Sequence, residues 1–171
     1  MTESEIRDLL MAALYRRIGV NGSMVGEGKA ASFSIERLHC VGGCVAEGAL
    51  EYPLPCGTRL SHASDILVTF HRVGQAGNEQ QYISIEIKHT SAVTDQFKCR
   101  SYDMGHMKQQ LGAALYGIML FVRAGKGIGF QRAKAICHPF DDFVGVDIFK
   151  ESLDTAFDQV LEKVEHRLFA G

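Results

Sequence analysis

The chain has 171 residues, 46% of them hydrophobic, and a formal net charge of −2. That size suits one domain over residues 1–171 with a sizeable core, and the charge argues against a strongly basic nucleic-acid binder. No apolar run approaches the ~20 residues that span a bilayer, and the start Met1-Thr2-Glu3-Ser4-Glu5 is acidic rather than signal-like. Five irregularly spaced cysteines fit a reducing compartment, so the expectation is a cytoplasmic protein without a membrane partner.

Thr2-x-x-Glu5 is a capping-box pattern, and Ile6, Leu9, Leu10, Ala13 and Leu14 follow before Gly19. Residues 3–18 therefore read as an amphipathic helix. Glycines make 21–31 a loop, and 32–40 alternates weakly enough to be a strand. Gly42-Gly43 reads as a turn into a second strand that ends near Pro53 and Pro55. Cys40, Cys44, Cys56, His39 and His62 lack the paired Cys-x-x-Cys spacing of structural zinc sites, so small buried thiols are the simpler account.

Ser64-Asp65-Ile66-Leu67-Val68-Thr69-Phe70 is a strongly β-forming run that opens on an acid. In Gln81–His89, Ile83, Ile85 and Ile87 alternate with Tyr82, Ser84, Glu86 and Lys88, which is the period of a strand. Glu86 and Lys88 thus leave one face and the isoleucines the other, towards a core. Gly74–Glu79 has the turn chemistry of an antiparallel hairpin, which can bring Asp65 to Glu86 and Lys88. Two hard oxygen ligands beside a lysine suit a divalent cation and phosphoryl chemistry. The bland alternative is a Glu86–Lys88 surface salt bridge with Asp65 at a strand end.

Downstream, His89–Asp103 is polar and irregular and reads as a loop facing the substrate. Met107, Leu111, Ala114, Leu115, Ile118, Met119 and Val122 fall at helical spacing, with Gln109 and Tyr116 sharing a face. Gly125–Gly129 reads as a plain connection, 132–139 as a strand, 141–147 as an acidic loop, and 148–169 as a helix packed on the core. Between Lys98 and Lys134 there are seven Lys or Arg and one acid, Asp103. A basic middle downstream of the acids suits a phosphate-backbone footprint, with Lys98, Arg100, Lys108 and Arg123 as candidate contacts. The expected architecture is α/β (α+β), a mixed sheet of four to five strands flanked by helices.

Asp65, a 20-residue interval, then Glu86-Ile87-Lys88 resembles the PD-(D/E)XK nuclease superfamily, whose members include restriction endonucleases and junction resolvases. Ser64 stands where the family's proline is usual. The resemblance implies a restriction-endonuclease-like core and metal-dependent hydrolysis of nucleic acid, with DNA the foremost substrate. It implies Asp65 and Glu86 as ligands of Mg²⁺ (or Mn²⁺), the Ile87 carbonyl as a third ligand, and Lys88 to orient or deprotonate the attacking water. It adds Glu5 from the first helix and Gln109 or Gln110 from a later one as accessory residues, and a homodimer as a family-level expectation. The rival readings are a nuclease-fold protein that binds nucleic acid or a protein partner without turnover, and a small-ligand-binding α/β domain.

Overall fold

The alternating isoleucines lie at the centre of a six-stranded sheet. The computed structural model describes residues 1–18, 30–33, 40–53, 56–74, 77–89, 94–125 and 127–169. Helix α1 (Glu3–Ile18) leads into β1 (Ala30–Phe33), β2 (Cys40–Pro53), β3 (Arg59–Gly74) and β4 (Gly77–His89). Then come α2 (Thr94–Leu111), β5 (Leu115–Arg123), α3 (Phe130–Ile136), β6 (Asp142–Asp147) and α4 (Leu153–Phe169). Strand order follows chain order, antiparallel from β1 to β4 and parallel from β4 to β6. This is the expected mixed sheet flanked by helices, with more strands than the four or five anticipated.

Both faces of the sheet are covered. On one, Ile83, Ile85 and Ile87 of β4 pack with Ile66, Val68 and Phe70 of β3 beneath α1 and α4. Helix α4 contributes Val160, Leu161, Val164 and Leu168, the stripe anticipated from its spacing. On the other face, Met119 and Phe121 pack beneath α2 and α3. Phe121 meets Phe97 of α2 and Phe130 at the start of α3 edge-on, at 5.0 and 5.5 Å between ring centres. Such contacts add about 0.5–1.5 kcal/mol each to the area they bury.

The second half of the chain departs from its sequence pattern in four places. Helix α2 already begins at Thr94, inside the stretch read as a loop. Its buried stripe is Phe97, Ser101, Met104 and Met107, so a serine in a core position hid the periodicity. The run 115–123, read as the end of a helix, is strand β5. A strand buried on both faces shows a continuous apolar run that spacing alone cannot tell from a helix. Gly112, at φ 54°, marks the break, since a left-handed glycine just past a helix is a stop signal. Residues 130–136 form a helix that fully buries only Ala133, too short for its period to register. Finally, 142–147 is a strand whose core side is Val144 and Val146, although its acids suggested a loop.

In the first half, Gly42 and Gly43 lie inside β2, where the pairing with β3 shifts register between Cys40 and Gly43. The β3–β4 hairpin forms as anticipated, with Gly74 opposite Gly77. Residues 21–29 of the proposed loop lie outside the described residues.

Gly105 has room for a side chain within α2, because an added Cβ would meet only the Pro139 ring, at 3.9 Å. Gly105→Ala should therefore stabilise the helix by about 1 kcal/mol. That corresponds to a rise of about 2–4 °C in melting temperature at this chain length. A fall in the circular-dichroism midpoint would contradict the packing described for α2.

Candidate active site

A break in strand alternation assembles the polar cluster. Along β2 the partner changes from Ala46↔Leu67 to Gly48↔Ser64, so two steps on β2 answer three on β3. The additional residue is a β-bulge at Asp65–Ile66. Without it, His62 and Ser64 would share a face with Ile66. With it, they share a face with Leu67, Ser84 and Glu86. Ser64 Oγ lies 2.7 Å from Ser84 Oγ, and His62 Nε2 lies 2.8 Å from Glu86 Oε1. At the bulge Asp65 turns its carboxylate to β4, where Oδ2 accepts the Ile87 amide proton at 2.7 Å. The three residues anticipated from the sequence thus come to the same end of two paired strands.

Glu86 is the most constrained of them. It is 0% exposed, and its Oε2 accepts no hydrogen bond among the described residues. Arg100 Nε stands 3.5 Å from that oxygen, an ion pair without hydrogen-bond geometry. Behind it, His62 Nδ1 is 3.6 Å from Asp103 Oδ2, so the buried imidazole lies between two carboxylates. Burial pushes the Glu86 carboxyl above its ordinary pKa, and the charge of Asp65 adds to the rise. The hydrogen bond from His62 and the Arg100 guanidinium oppose it. An oxygen without a hydrogen bond, met by one guanidinium at 3.5 Å, and a second anion next door leave room for a further positive charge.

Lys88, 6% exposed, pairs across the strand end with the first helix rather than with Glu86. Its Nζ is 3.3 Å from Glu3 Oε2, while Glu3 Oε1 accepts the His89 amide proton at 3.0 Å. The helix-1 glutamate that reaches this cluster is therefore Glu3. Glu5, the residue anticipated for that role, closes the N-terminal capping box instead. Its carboxylate accepts the Thr2 amide and its own amide donates to Thr2 Oγ1. That cap also holds the Glu5 carboxyl below its usual pKa. Nothing in the spacing distinguished Glu3, because only the approach of α1 to the end of β4 selects it.

The anticipated basic contacts separate. Arg100 faces Glu86, and Lys98 lies nearby on the first turns of α2, 3.6 Å from Asp95. Arg123 ends β5, one residue past the Val122↔His89 pair, so it shares the edge that carries Lys88. Lys108 does not belong with them. It sits eight residues beyond Arg100, about 12 Å along the helix, and binds Asp141 at 2.6 Å. Asp141 also accepts the Gly117 amide, so Lys108 serves an ion network at the opposite end of the sheet. Gln109 and Gln110 are exposed near the same far end of α2, away from Glu86. Tyr116 donates its hydroxyl proton to Asp142 there and shares no helix face with Gln109, because it lies in β5.

Three His, Cys, Asp or Glu side chains do not converge into a metal-holding group among the described residues. Mg²⁺ does not require one, since it keeps several waters and commonly binds through one or two carboxylates. Asp65 and the orphaned oxygen of Glu86 fit that demand as hard oxygen donors, with the Ile87 carbonyl on the same strand. Cys56, Cys99 and Cys137 are free thiols, and His62 is committed to Glu86, which leaves no zinc set among these residues. Among the described residues no helix is long and apolar enough to cross a membrane. No protein-family model matches the chain, and neither a curated protein nor a solved structure matches it.

The raised pKa of Glu86 has a stability consequence of fixed sign. Well below the unfolded carboxyl's pKa, both states hold the neutral acid and this stabilising contribution is complete. It is lost as the pH rises through the higher folded pKa, because the native state must then ionise a buried group. Glu86→Gln imitates the neutral acid and can keep the bond to His62. In chelator it should raise the unfolding midpoint by a few degrees at pH 8 and by much less at pH 4. Equal shifts at both pH values, or a loss at pH 8, would contradict the buried, cation-deficient site.

Proposed function

We propose that this chain is a metal-dependent nuclease that hydrolyses phosphodiester bonds, with DNA the foremost substrate and PD-(D/E)XK-like chemistry. The observation that carries the reading is Glu86, a wholly buried carboxylate with one oxygen that accepts no hydrogen bond among the described residues and a pKa raised by burial and by Asp65. A protein that needed this residue only for stability would gain by replacing it with an uncharged one. The helix, antiparallel strands, helix and parallel strand from α1 to β5 also follow the element order expected from the resemblance.

In this reading Asp65, Glu86 and the Ile87 carbonyl hold Mg²⁺ or Mn²⁺. When bound, the ion supplies charge neutralisation and a more acidic water. Water oxygen bonds to phosphorus, the P–O bond to the departing strand breaks, and a proton passes from water to the departing alkoxide. Lys88, held by Glu3, orients the water and stabilises charge that develops on the phosphoryl oxygens. His62 fixes Glu86 by one oxygen and leaves the other for the cation. Arg100 and Arg123 at the strand ends, and Lys98 on the next face of α2, neutralise the phosphate backbone, which positions a substrate without reading its sequence. The free thiols Cys56, Cys99 and Cys137 suit action in a reducing cytoplasm.

Two contacts favour a second reading, a nuclease-fold protein that binds without turnover. Lys88 is tied to Glu3, and Arg100 stands against the oxygen the cation would take. The two readings part in a single assay with plasmid, branched and single-stranded DNA and RNA, with Mg²⁺, Mn²⁺ or chelator. The nuclease should cleave only with the ion and lose at least about 100-fold in rate in Asp65→Ala, Glu86→Gln and Lys88→Ala. Mg²⁺ should raise the melting temperature of the wild type and not of Asp65→Ala. Metal-independent stability together with binding but no cleavage would establish the second reading. Light scattering on the same samples reads whether the protein is the anticipated homodimer.

A further inference from the structure

Helix α2 carries two polar faces, and the site above uses one of them. Arg100 and Asp103 turn towards Glu86 and His62. Lys98, Tyr102, Gly105, His106 and Gln109 recur at helical spacing on another face. With His138 and Pro139 after α3, that face lines a cleft of about 520 Å³. Among the described residues no acidic side chain lines it.

Three features of the cleft call for an occupant. Tyr102 presents an aromatic ring to solvent, 69% exposed, and meets the His106 ring edge-on at 5.1 Å. His106 lines the cleft beside Tyr102, and its Nδ1 makes no hydrogen bond among the described residues, so the ring is not committed to another protein group there. Among the described residues Lys98 pairs only with Asp95 at 3.6 Å, both side chains well exposed, so a phosphate can compete for its ammonium group. The floor at Gly105 is open because that residue has no side chain.

An aromatic platform, hydrogen-bonding groups around it and a cation at one end match one ligand chemistry, a nucleotide with its base unstacked. We propose that the α2–α3 cleft binds an unpaired nucleotide of a single-stranded segment. The base stacks on Tyr102, its polar edge meets His106, Gln109 and His138, and its phosphate meets Lys98. The proposal deepens the nuclease reading and rests on it: the strand held at Glu86 continues over the first turns of α2 into the cleft. The substrate class is then single-stranded or branched nucleic acid rather than continuous duplex, which offers no free base face.

The test is binding in chelator, where no turnover occurs, read by fluorescence anisotropy with labelled oligothymidylate, oligouridylate and a blunt DNA duplex. A single strand should bind more tightly than the duplex, and the two single strands distinguish DNA from RNA. Tyr102→Ala should weaken that binding about tenfold, while Tyr102→Phe, which keeps the ring, should not. Lys98→Ala should weaken it and flatten its salt dependence. The Tyr102 side chain is exposed, so these variants should keep the wild-type melting temperature. Equal single-strand affinity in Tyr102→Ala and wild type would overturn the cleft. So would duplex bound as tightly as single strand. Metal-dependent cleavage without single-strand binding would overturn the cleft and leave the nuclease standing. Tyr102-dependent binding without cleavage under any metal would support the cleft and remove turnover instead.

Discussion

The polar centre of this protein depends on a change of strand parity. In a regular strand His62 and Ser64 would point where Ile66 points, into the apolar layer beneath α1 and α4. The bulge at Asp65–Ile66 reverses that assignment for everything upstream of it. Beyond the bulge, two polar side chains enter the opposite layer and find Glu86 and Ser84 as partners. The same distortion ends the ladder at Ile66↔Ile85 and lets Asp65 accept the next available amide, that of Ile87. One additional residue thus sets the positions of His62, Ser64 and Asp65 together.

What this assembly does energetically is unusual for a structural ion cluster. At the far end of the sheet Lys108, Asp141, Lys163, Asp142 and Tyr116 compensate one another in pairs. Around Glu86 the compensation is incomplete, since burial and Asp65 push its carboxyl towards neutrality and one oxygen lacks a hydrogen bond. Perturbed groups with an unmet partner concentrate at functional sites, because the tension is released when the ligand arrives. The contrast between the two ends of β5 distinguishes a site from a brace more sharply than the identity of any one residue. It also accounts for Lys108, whose charge suggested a phosphate contact and which instead pairs with Asp141.

In the proposed reading, helix α2 connects the carboxylate cluster to the α2–α3 cleft. Its aromatic anchor, Phe97 against Phe121, fixes the first turns on β5 and so fixes where Arg100 and Asp103 stand relative to Glu86. The same rigid segment presents Tyr102 and His106 outward.

The hairpin and the positions of Asp65, Glu86 and Lys88 were legible in the chain because their signals are local. Period-two isoleucines and a glycine turn each act within a few residues, whereas Asp65, read as opening its strand, lies inside β3. The capping box at Thr2 and Glu5 and the apolar stripe of α4 were legible for the same local reason. The strand β5 was not legible, because burial on both faces erases the alternation that marks a strand, and only pairing with β4 decides it. Glu3, His62 and Arg100 were not legible either. His62 and Arg100 are brought to Glu86, and Glu3 to Lys88, by a bulge, a crossover and a helix approach. Residue order determined which chemical groups one hairpin could offer, since neighbouring side chains follow the backbone period. Tertiary packing alone decided which of those groups are buried, paired or left short of a partner, since desolvation and charge neutralisation depend on what the rest of the chain places around them.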